Sequence, residues 1–188
     1  MDFIKKAVGA IFDFLQGIVV VLAIMVMIYL FIMSPQEING ASMEPNFQNG
    51  EYILTNKIEY KLSDPKRGDV VIFKSPRNKD IDYIKRIIGE PGDRVDLKGG
   101  VYSVNGIPLD EPYLAAGTYT AAGNYLREGS EIIVPEGKYF VSGDNRGHSS
   151  DSREFGPVSK EDFIGKAFLR YWPFSEAGVI TAPSYRLP

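Results

Sequence analysis

The chain has 188 residues, a formal net charge of −3, one histidine and no cysteine. The lack of cysteine excludes thiol catalysis, disulfide bonds and cysteine metal sites, and one histidine argues against a histidine-rich zinc site. The slightly acidic balance, without a recurring basic cluster, gives no indication of nucleic-acid binding. Length and composition indicate one modest domain joined to one strongly apolar segment.

The first predicted element is a membrane-spanning helix over residues 14–33. Residues 18–33 contain no charged or strongly polar side chain, and the extension back to Phe14 adds Gln16 and Gly17. A helix over 14–33 rises about 30 Å, which matches the hydrocarbon core of a bilayer. Because no face of this helix is polar, a buried core helix is the less favoured interpretation.

The cations around this segment predict its orientation. Lys5 and Lys6 precede it, whereas residues 34–56 contain no Lys or Arg. We therefore expect residues 1–13 in the cytoplasm and residues 34–188 on the extracytoplasmic side of the cell membrane. A cleaved secretory signal is the alternative, but no small-x-small cleavage site follows the apolar run, which favours an uncleaved anchor.

The stretch that follows the anchor, here called the serine loop (residues 39–45), has features suited to a nucleophile. Ser42 lies between Gly40, which lets a peptide backbone approach closely, and Pro45, which pushes the preceding residue out of the helical region. The same composition is typical of an ordinary turn, so this stretch alone does not identify a catalytic serine.

The chain after the anchor is predicted to be an all-β domain, which makes the fold class mostly β. Asn105-Gly106 is the strongest signal for a two-residue hairpin turn, and short apolar runs bounded by Gly, Asp or Pro indicate strands. The runs are 52–54, 70–73, 132–134, 139–141 and 168–172. Residues 113–129 carry Ala-Ala-Gly twice and few β-branched residues, and are predicted to form a mobile insertion.

A lysine in one β-like stretch is the candidate general base. If the stretch is a strand, alternation places Tyr83, Lys85 and Ile87 on one face, where apolar neighbours desolvate the ammonium. Burial lowers the pKa of a lysine, and a neutral lysine beside a serine hydroxyl can accept its proton. The alternative is a surface lysine paired with Glu90 or Asp93, which is the usual setting of a lysine.

A loop rich in Gly, Asp, Asn and Ser, here called the charged loop (residues 143–156), is expected to carry a scaffold of paired charges. The four side chains are Asp144, Arg146, Asp151 and Arg153. The Asp-x-Arg opening does not fit a calcium loop, which needs oxygen ligands at alternate positions. Isolated surface pairs contribute little to stability, so such a scaffold would matter mainly for positioning.

These stretches, in this order behind an anchor, resemble bacterial type I signal peptidases in their short single-anchor form. The matching motifs are Ser-Met-x-Pro at 42–45, Arg-Gly-Asp-Val-Val at 67–71, Tyr-Ile-Lys-Arg with Gly-x-Pro-Gly-Asp at 83–93, Asn-Gly-x-Pro-Leu-Asp-Glu-Pro-Tyr at 105–113, and Gly-Asp-Asn-Arg with Ser-x-Asp-Ser-Arg at 143–153. Each motif alone is weak, but the ordered set is specific. The resemblance implies a signal-peptidase-like β catalytic domain, and we expect no cofactor and no metal.

The resemblance implies a serine/lysine dyad, with Ser42 as the nucleophile and Lys85 as its general base. The backbone N–H of Ser42 would contribute to an oxyanion hole. In some relatives a serine two residues before the nucleophile helps, and here Gly40 stands at that position. Ser149 corresponds to the serine that hydrogen-bonds and orients the lysine. The family's supporting ion pair and its neighbouring charges are matched by Asp151, Arg153, Asp144 and Arg146.

One departure from the family pattern admits a rival base. Many relatives have Asp-Asn where this chain has Gly147-His148, which leaves the local hydrogen bonds undetermined. His148 would then be the base of a Ser-His-Asp arrangement with Ser42 and Asp151. The dyad is favoured over this rival, because serine/lysine pairs are an established solution to the same geometry.

The resemblance also implies the substrates, which in this family are secreted preproteins with an Ala-x-Ala site after an apolar stretch. Shallow apolar pockets would explain the preference for small side chains, and an extended signal peptide would add as a strand beside residues 83–85. The substrate-binding residues implied are Ile38, Gly40, Met43, Phe47, Tyr83 and Ile84. Trp172 and Phe174 are expected either at the bilayer surface, where Trp is enriched, or in the core.

The predicted function is therefore a membrane-bound serine endopeptidase that removes signal peptides after small-x-small sites. Two alternatives stay open: a catalytically inactive, membrane-tethered β binding domain of the same fold, and a self-cleaving Ser/Lys regulator. The presence of both Ser42 and Lys85 argues against the first, and the anchor argues against the second. The expected partners are signal peptides and the lipid bilayer.

Overall fold

A long apolar helix precedes a β domain in the computed structural model, which describes residues 2–183 and residue 185. Helix α1 (Asp2–Phe31) contains a candidate membrane span, Lys5–Phe31, with a mean hydropathy of 2.7 and no residue buried inside the protein. The helix ends before the predicted boundary at residue 33, because Met33 already pairs with Asn56 at the start of the first strand.

The end of α1 is bonded directly to the β domain. The backbone N–H of Lys57 donates to the carbonyl oxygen of Ile32 at 2.8 Å. The ammonium of the same lysine donates to the carbonyl oxygen of Tyr29 at 3.0 Å and lies 5.2 Å from the centre of that ring. Two carbonyl groups at the junction of helix and sheet therefore accept hydrogen bonds from Lys57.

The β domain consists of two antiparallel sheets. The larger has the order β1-β2-β11-β3-β4-β9-β10, with β12 paired to β11, and the smaller has the order β7-β6-β5-β8. The strands are β1 (Met33–Glu37), β2 (Tyr52–Asn56), β3 (Val70–Lys74), β4 (Asp82–Gly89), β5 (Arg94–Lys98), β6 (Val101–Val104), β7 (Ile107–Pro108), β8 (Glu131–Ile133), β9 (Lys138–Ser142), β10 (Val158–Ser159), β11 (Phe163–Trp172) and β12 (Gly178–Val179). The short helices are α2 (Glu59–Leu62) and α3 (Ser152–Phe155), with single 3₁₀ turns at Lys160–Asp162 and Phe174–Glu176.

The mostly β fold predicted from the sequence is confirmed, and each predicted run falls on a strand except for Val134, which lies one residue beyond β8. The Asn105-Gly106 turn joins β6 to β7, and its two residues have φ angles of 54° and 80°. Positive φ at both central residues is the requirement of the tight hairpin turn that this dipeptide favours.

The central strands of the larger sheet are buried on both faces. Val70 and Ile72 pack into a cluster with Ile53 and Ala167, whereas Val71 and Phe73 pack into a second cluster on the opposite face. Successive side chains of a strand point to opposite faces, so an unbroken apolar run contributes side chains to the clusters on both faces of the sheet. A third cluster joins β4 and β9 to the smaller sheet.

Two sequence expectations concern parts of the domain outside these cores. Trp172 and Phe174 are 46% and 79% exposed and contact each other edge to face, so the core alternative for them is wrong. Residues 113–129 form no helix or strand, but Leu126 is fully buried and its backbone N–H bonds to Arg153. The mobility of this segment stays a prediction.

Candidate active site

The serine loop places Ser42 at the edge of the larger sheet, immediately beyond β1. Its neighbours Ile38 and Met43 are buried in the same apolar cluster, so the loop is held from both sides of the serine. Ser42 itself is half-buried. The loop therefore presents one hydroxyl group at the protein surface on a backbone that is fixed by core packing.

The structure brings Lys85 of β4 against this serine. The Nζ atom of Lys85 lies 2.6 Å from the Oγ atom of Ser42 and donates a second hydrogen bond to the carbonyl oxygen of Ile84 at 2.8 Å. The predicted strand alternation holds, because Tyr83 and Ile87 belong to one cluster, and the ring of Tyr83 is 5.2 Å from Nζ. The alternative of a surface lysine is wrong, since Lys85 is only 3% exposed.

Burial sets the protonation of this lysine. Desolvation lowers the pKa of Lys85 from 10.5 to about 8, although the carboxylates of Asp151 and Asp144 act in the opposite direction. In mildly alkaline solution Lys85 is then a neutral amine in a substantial fraction of the molecules. A neutral amine has a lone pair that can accept a hydroxyl proton.

The charged loop is attached to the serine loop by Asn145. Its backbone N–H donates to the carbonyl oxygen of Ser42, and its side-chain amide donates to the carbonyl oxygen of Ala41, both at 3.0 Å. The sequence reasoning assigned no role to Asn145, although it lies inside the Gly-Asp-Asn-Arg motif. The sequence feature that could have indicated a role is the position of Asn145 between the charged residues Asp144 and Arg146.

Ser149 does not have the predicted hydrogen bond to Lys85. Its Oγ atom is buried without a hydrogen-bond partner among residues 2–183 and 185. It packs against Gly143, where any Cβ atom would overlap both this oxygen and the carbonyl oxygen of Ser42. Only glycine at position 143 allows the two loops to approach this closely.

A buried ion pair supports the strand that carries the lysine. Arg86 holds Asp144 through two hydrogen bonds, of 2.9 Å and 2.7 Å, and both side chains are almost fully buried. Asp144 therefore pairs outside the four charges named in the sequence and makes no ion pair with its neighbour Arg146. The guanidinium of Arg146 instead donates to the carboxylate of Glu111 at 2.9 Å. Arg86 and Glu111 were missed as partners, although both lie in motifs quoted above.

The predicted pair of Asp151 and Arg153 is present. Two hydrogen bonds of 2.8 Å join the guanidinium to the carboxylate, and the backbone N–H of Gly143 donates to the same carboxylate at 3.0 Å. Burial alone favours the neutral acid, but the hydrogen bonds and charge of Arg153 outweigh it, so the pKa of Asp151 is lowered. This carboxylate stays ionised and fixes the start of α3.

An open cleft of about 590 Å³ ends at Ser42 and Lys85. Of the predicted substrate-binding residues, Ile38, Gly40, Tyr83 and Ile84 line it. Met43 and Phe47 do not line it, although they belong to the same buried apolar cluster as Ile38. Lining residues that the sequence reasoning missed are Gln36, Glu37, Asn39, Ala41, Ile53, Ile72, Asp80, Ile81, Asp82 and Ser150.

His148 also lines the cleft and is exposed. Within the described part of the chain, its ring makes no hydrogen bond to Ser42 or to Asp151, and the carboxylate of Asp151 is already occupied by Arg153 and Gly143. The geometry therefore favours Lys85 over His148 as the base.

Comparisons with known proteins give the family. The profile of the family described as signal peptidase, peptidase S26, matches residues 11–172. Signal peptidase IB of Staphylococcus aureus is 38% identical over 177 residues, which cover 88% of this chain and 92% of that protein. A probable signal peptidase I-2 of Synechocystis is 38% identical over 161 residues, covering 83% of this chain and 71% of the relative.

Among solved structures, a signal peptidase I from Enterococcus faecalis is 34% identical, with a TM-score of 0.47, and the match covers 55% of this chain and 97% of that one. The family profile extends over most of the chain and includes both Ser42 and Lys85. The chain belongs to the signal peptidase family, peptidase S26.

Proposed function

We propose that this chain is a membrane-anchored serine endopeptidase that removes N-terminal signal peptides from exported preproteins by a Ser42/Lys85 dyad. The observation that carries the proposal is the 2.6 Å distance between Nζ of a buried lysine and Oγ of a half-buried serine at the end of an open cleft. Family membership supplies the reaction class, and the geometry supports the roles of the two residues.

In the first half of the reaction, the neutral amine of Lys85 accepts the hydroxyl proton as Oγ of Ser42 attacks the carbonyl carbon of the scissile peptide. The tetrahedral intermediate carries an oxyanion. The backbone N–H of Ser42 donates to no acceptor among the described residues, so it is available to stabilise that charge. The ammonium of Lys85 then gives its proton to the leaving nitrogen, and the substrate acyl group remains on Ser42 as an ester.

In the second half, water attacks the ester and Lys85 accepts a proton from that water. The tetrahedral intermediate collapses, the proton returns to Oγ of Ser42, and the signal peptide leaves with a free carboxylate. The amine begins and ends the cycle neutral, so a pKa close to the working pH serves both halves.

A preprotein incubated with the full-length chain tests this function. Mass spectrometry should show the mature protein and the signal peptide with the wild type, and the intact preprotein alone with Ser42→Ala. An intact preprotein with the wild type would support the inactive binding domain, and cleavage restricted to the enzyme's own chain would support the self-cleaving regulator. Equal cleavage by both variants would show that another residue is the nucleophile.

Specificity for small side chains is the finer part of the proposal. Ile38, Tyr83 and Ile84 line the cleft that also contains the dyad, and an extended peptide there would place alternate side chains against them. We expect Phe before the scissile bond to stop cleavage, whereas Gly or Ser is tolerated. Turnover of otherwise identical preproteins measures this, and equal rates for Phe and Ala would contradict the small-pocket proposal.

The orientation of the anchor is also proposed, with the β domain outside the cytoplasmic membrane. The sequence observation behind it is that Lys5 and Lys6 precede the span, while residues 34–56 have no cation. Protease added to intact spheroplasts should digest the β domain and leave the cytoplasmic residues protected. Protection of the β domain would reverse the orientation and remove exported preproteins as substrates.

A further inference from the structure

A second cavity, of about 670 Å³, lies between the last turn of α1 and the β domain, and neither dyad residue lines it. Leu30 and Phe31 of the helix contribute to its lining, together with Lys57, residues of α2, β9 and β11, and the segments 136–137 and 159–161. We infer that this cavity binds the phosphate headgroup of an anionic phospholipid. The inference rests on the proposed membrane anchor and does not depend on the peptidase chemistry.

The charges of the cavity favour an anion. Its lining carries the four lysines Lys57, Lys61, Lys138 and Lys160 against the two glutamates Glu136 and Glu161. The ammonium of Lys57 bonds to the carbonyl oxygen of Tyr29, and Lys160 pairs with Asp64 at 2.7 Å.

The remaining two lysines supply the headgroup contacts. Lys61 and Lys138 make no ion pair within residues 2–183 and 185, and both side chains are exposed. A phosphodiester between them would gain two cationic partners without breaking an existing pair. Each basic residue near an anionic membrane surface contributes about 1 kcal/mol to binding.

The apolar part of the cavity selects a lipid over a free phosphate. Phe163 and Ile164 of β11 face the helix residues Leu30 and Phe31 across the same space. The candidate span ends at Phe31, so the cavity opens where the hydrocarbon region of a bilayer would end and its headgroups begin. A phospholipid fits both surfaces, with its phosphate on the lysines and its glycerol and first acyl carbons on the apolar wall.

The experiment measures lipid retention by the full-length chain. The protein is reconstituted in mixed vesicles of phosphatidylcholine and phosphatidylglycerol, and bound lipids are counted by native mass spectrometry as the phosphatidylglycerol fraction rises. The wild type should retain phosphatidylglycerol preferentially. Lys61→Gln/Lys138→Gln should weaken that retention roughly 10- to 30-fold. Glu136→Gln/Glu161→Gln should strengthen it, a change of opposite sign that loss of folding cannot produce.

A matched control removes the same charge elsewhere. Lys98→Gln/Arg127→Gln changes two exposed cations outside the cavity and should leave retention unchanged. Equal retention of both lipids by the wild type, or equal weakening by the control, would overturn the site. Displacement of the lipid by soluble glycerol phosphate would show that the ligand is a free phosphate. Alkaline extraction of the vesicles tests the anchor separately, since an anchored chain stays with the membrane.

Discussion

Lys85→Arg is expected to reduce preprotein cleavage by on the order of 10²–10⁴-fold, which is the usual contribution of a general base. Arginine keeps the positive charge and much of the length, but its guanidinium does not give up a proton in a protein. Lys85→Ala should be as inactive as Lys85→Arg. Turnover of one preprotein at matched enzyme concentration measures both, with circular dichroism to show that the fold is intact.

The pH dependence of the wild type follows from the same group. Burial lowers the pKa of Lys85 to about 8, so the protonated, inactive form dominates below that pH and the neutral base dominates above it. Activity should therefore rise with pH through a window centred near pH 8 and then level off. His148→Ala should retain most activity with the same profile. An active Lys85→Arg, or a folded but inactive His148→Ala, would contradict the dyad.

Asp144→Ala is expected to lower the free energy of unfolding by about 3–5 kcal/mol, because it leaves the guanidinium of Arg86 buried and unpaired. Urea unfolding of the full-length chain in detergent micelles, followed by far-ultraviolet circular dichroism, measures the loss. The double variant Arg86→Met/Asp144→Ala should be less destabilised than Asp144→Ala, since it removes the unpaired charge.

The control for this pair is an ion pair at the surface. The Nζ atom of Lys79 lies 2.5 Å from the Oδ1 atom of Asp162, but the two side chains are 57% and 29% exposed. Lys79→Ala should therefore cost less than about 1 kcal/mol. If Asp144→Ala were no more harmful than Lys79→Ala, the buried pair would not be a structural support of β4.

Local patterns predicted the strands and the environment of the lysine. Alternation over β4 placed Tyr83 and Ile87 beside Lys85 because the two-residue period is a property of the strand itself. The hairpin at Asn105-Gly106 was predictable for the same reason, since positive φ is a local demand. The contact between Ser42 and Lys85 was different: 43 residues separate them, and only the family resemblance joined them.

The partners of buried charges were not predictable from spacing. Asp144 is two residues from Arg146, yet it pairs with Arg86, 58 residues away, because β4 and β9 are neighbours in the sheet.

The apolar character of a residue also did not predict whether its side chain lines the cleft or lies only in the core. Ile38 and Met43 belong to one buried apolar cluster near the same serine, yet only Ile38 lines the cleft. The end of α1 was misplaced because the pairing of Met33 is a long-range contact.

The hydrogen bonds between the end of α1 and the β domain fix the distance between the helix and the proposed catalytic serine. Ile32 is bonded to Lys57, and Met33 begins the strand that leads to the serine loop, so the anchor and the nucleophile share one stiff segment. The five residues of β1 span at most about 17 Å. With α1 as the proposed anchor, the height of Ser42 above the bilayer would be set by the length and tilt of β1 and by the residues that join β1 to the serine. A signal peptide would then have to match that height with the number of residues between its apolar stretch and its scissile bond, so that distance as well as sequence would determine the cut position.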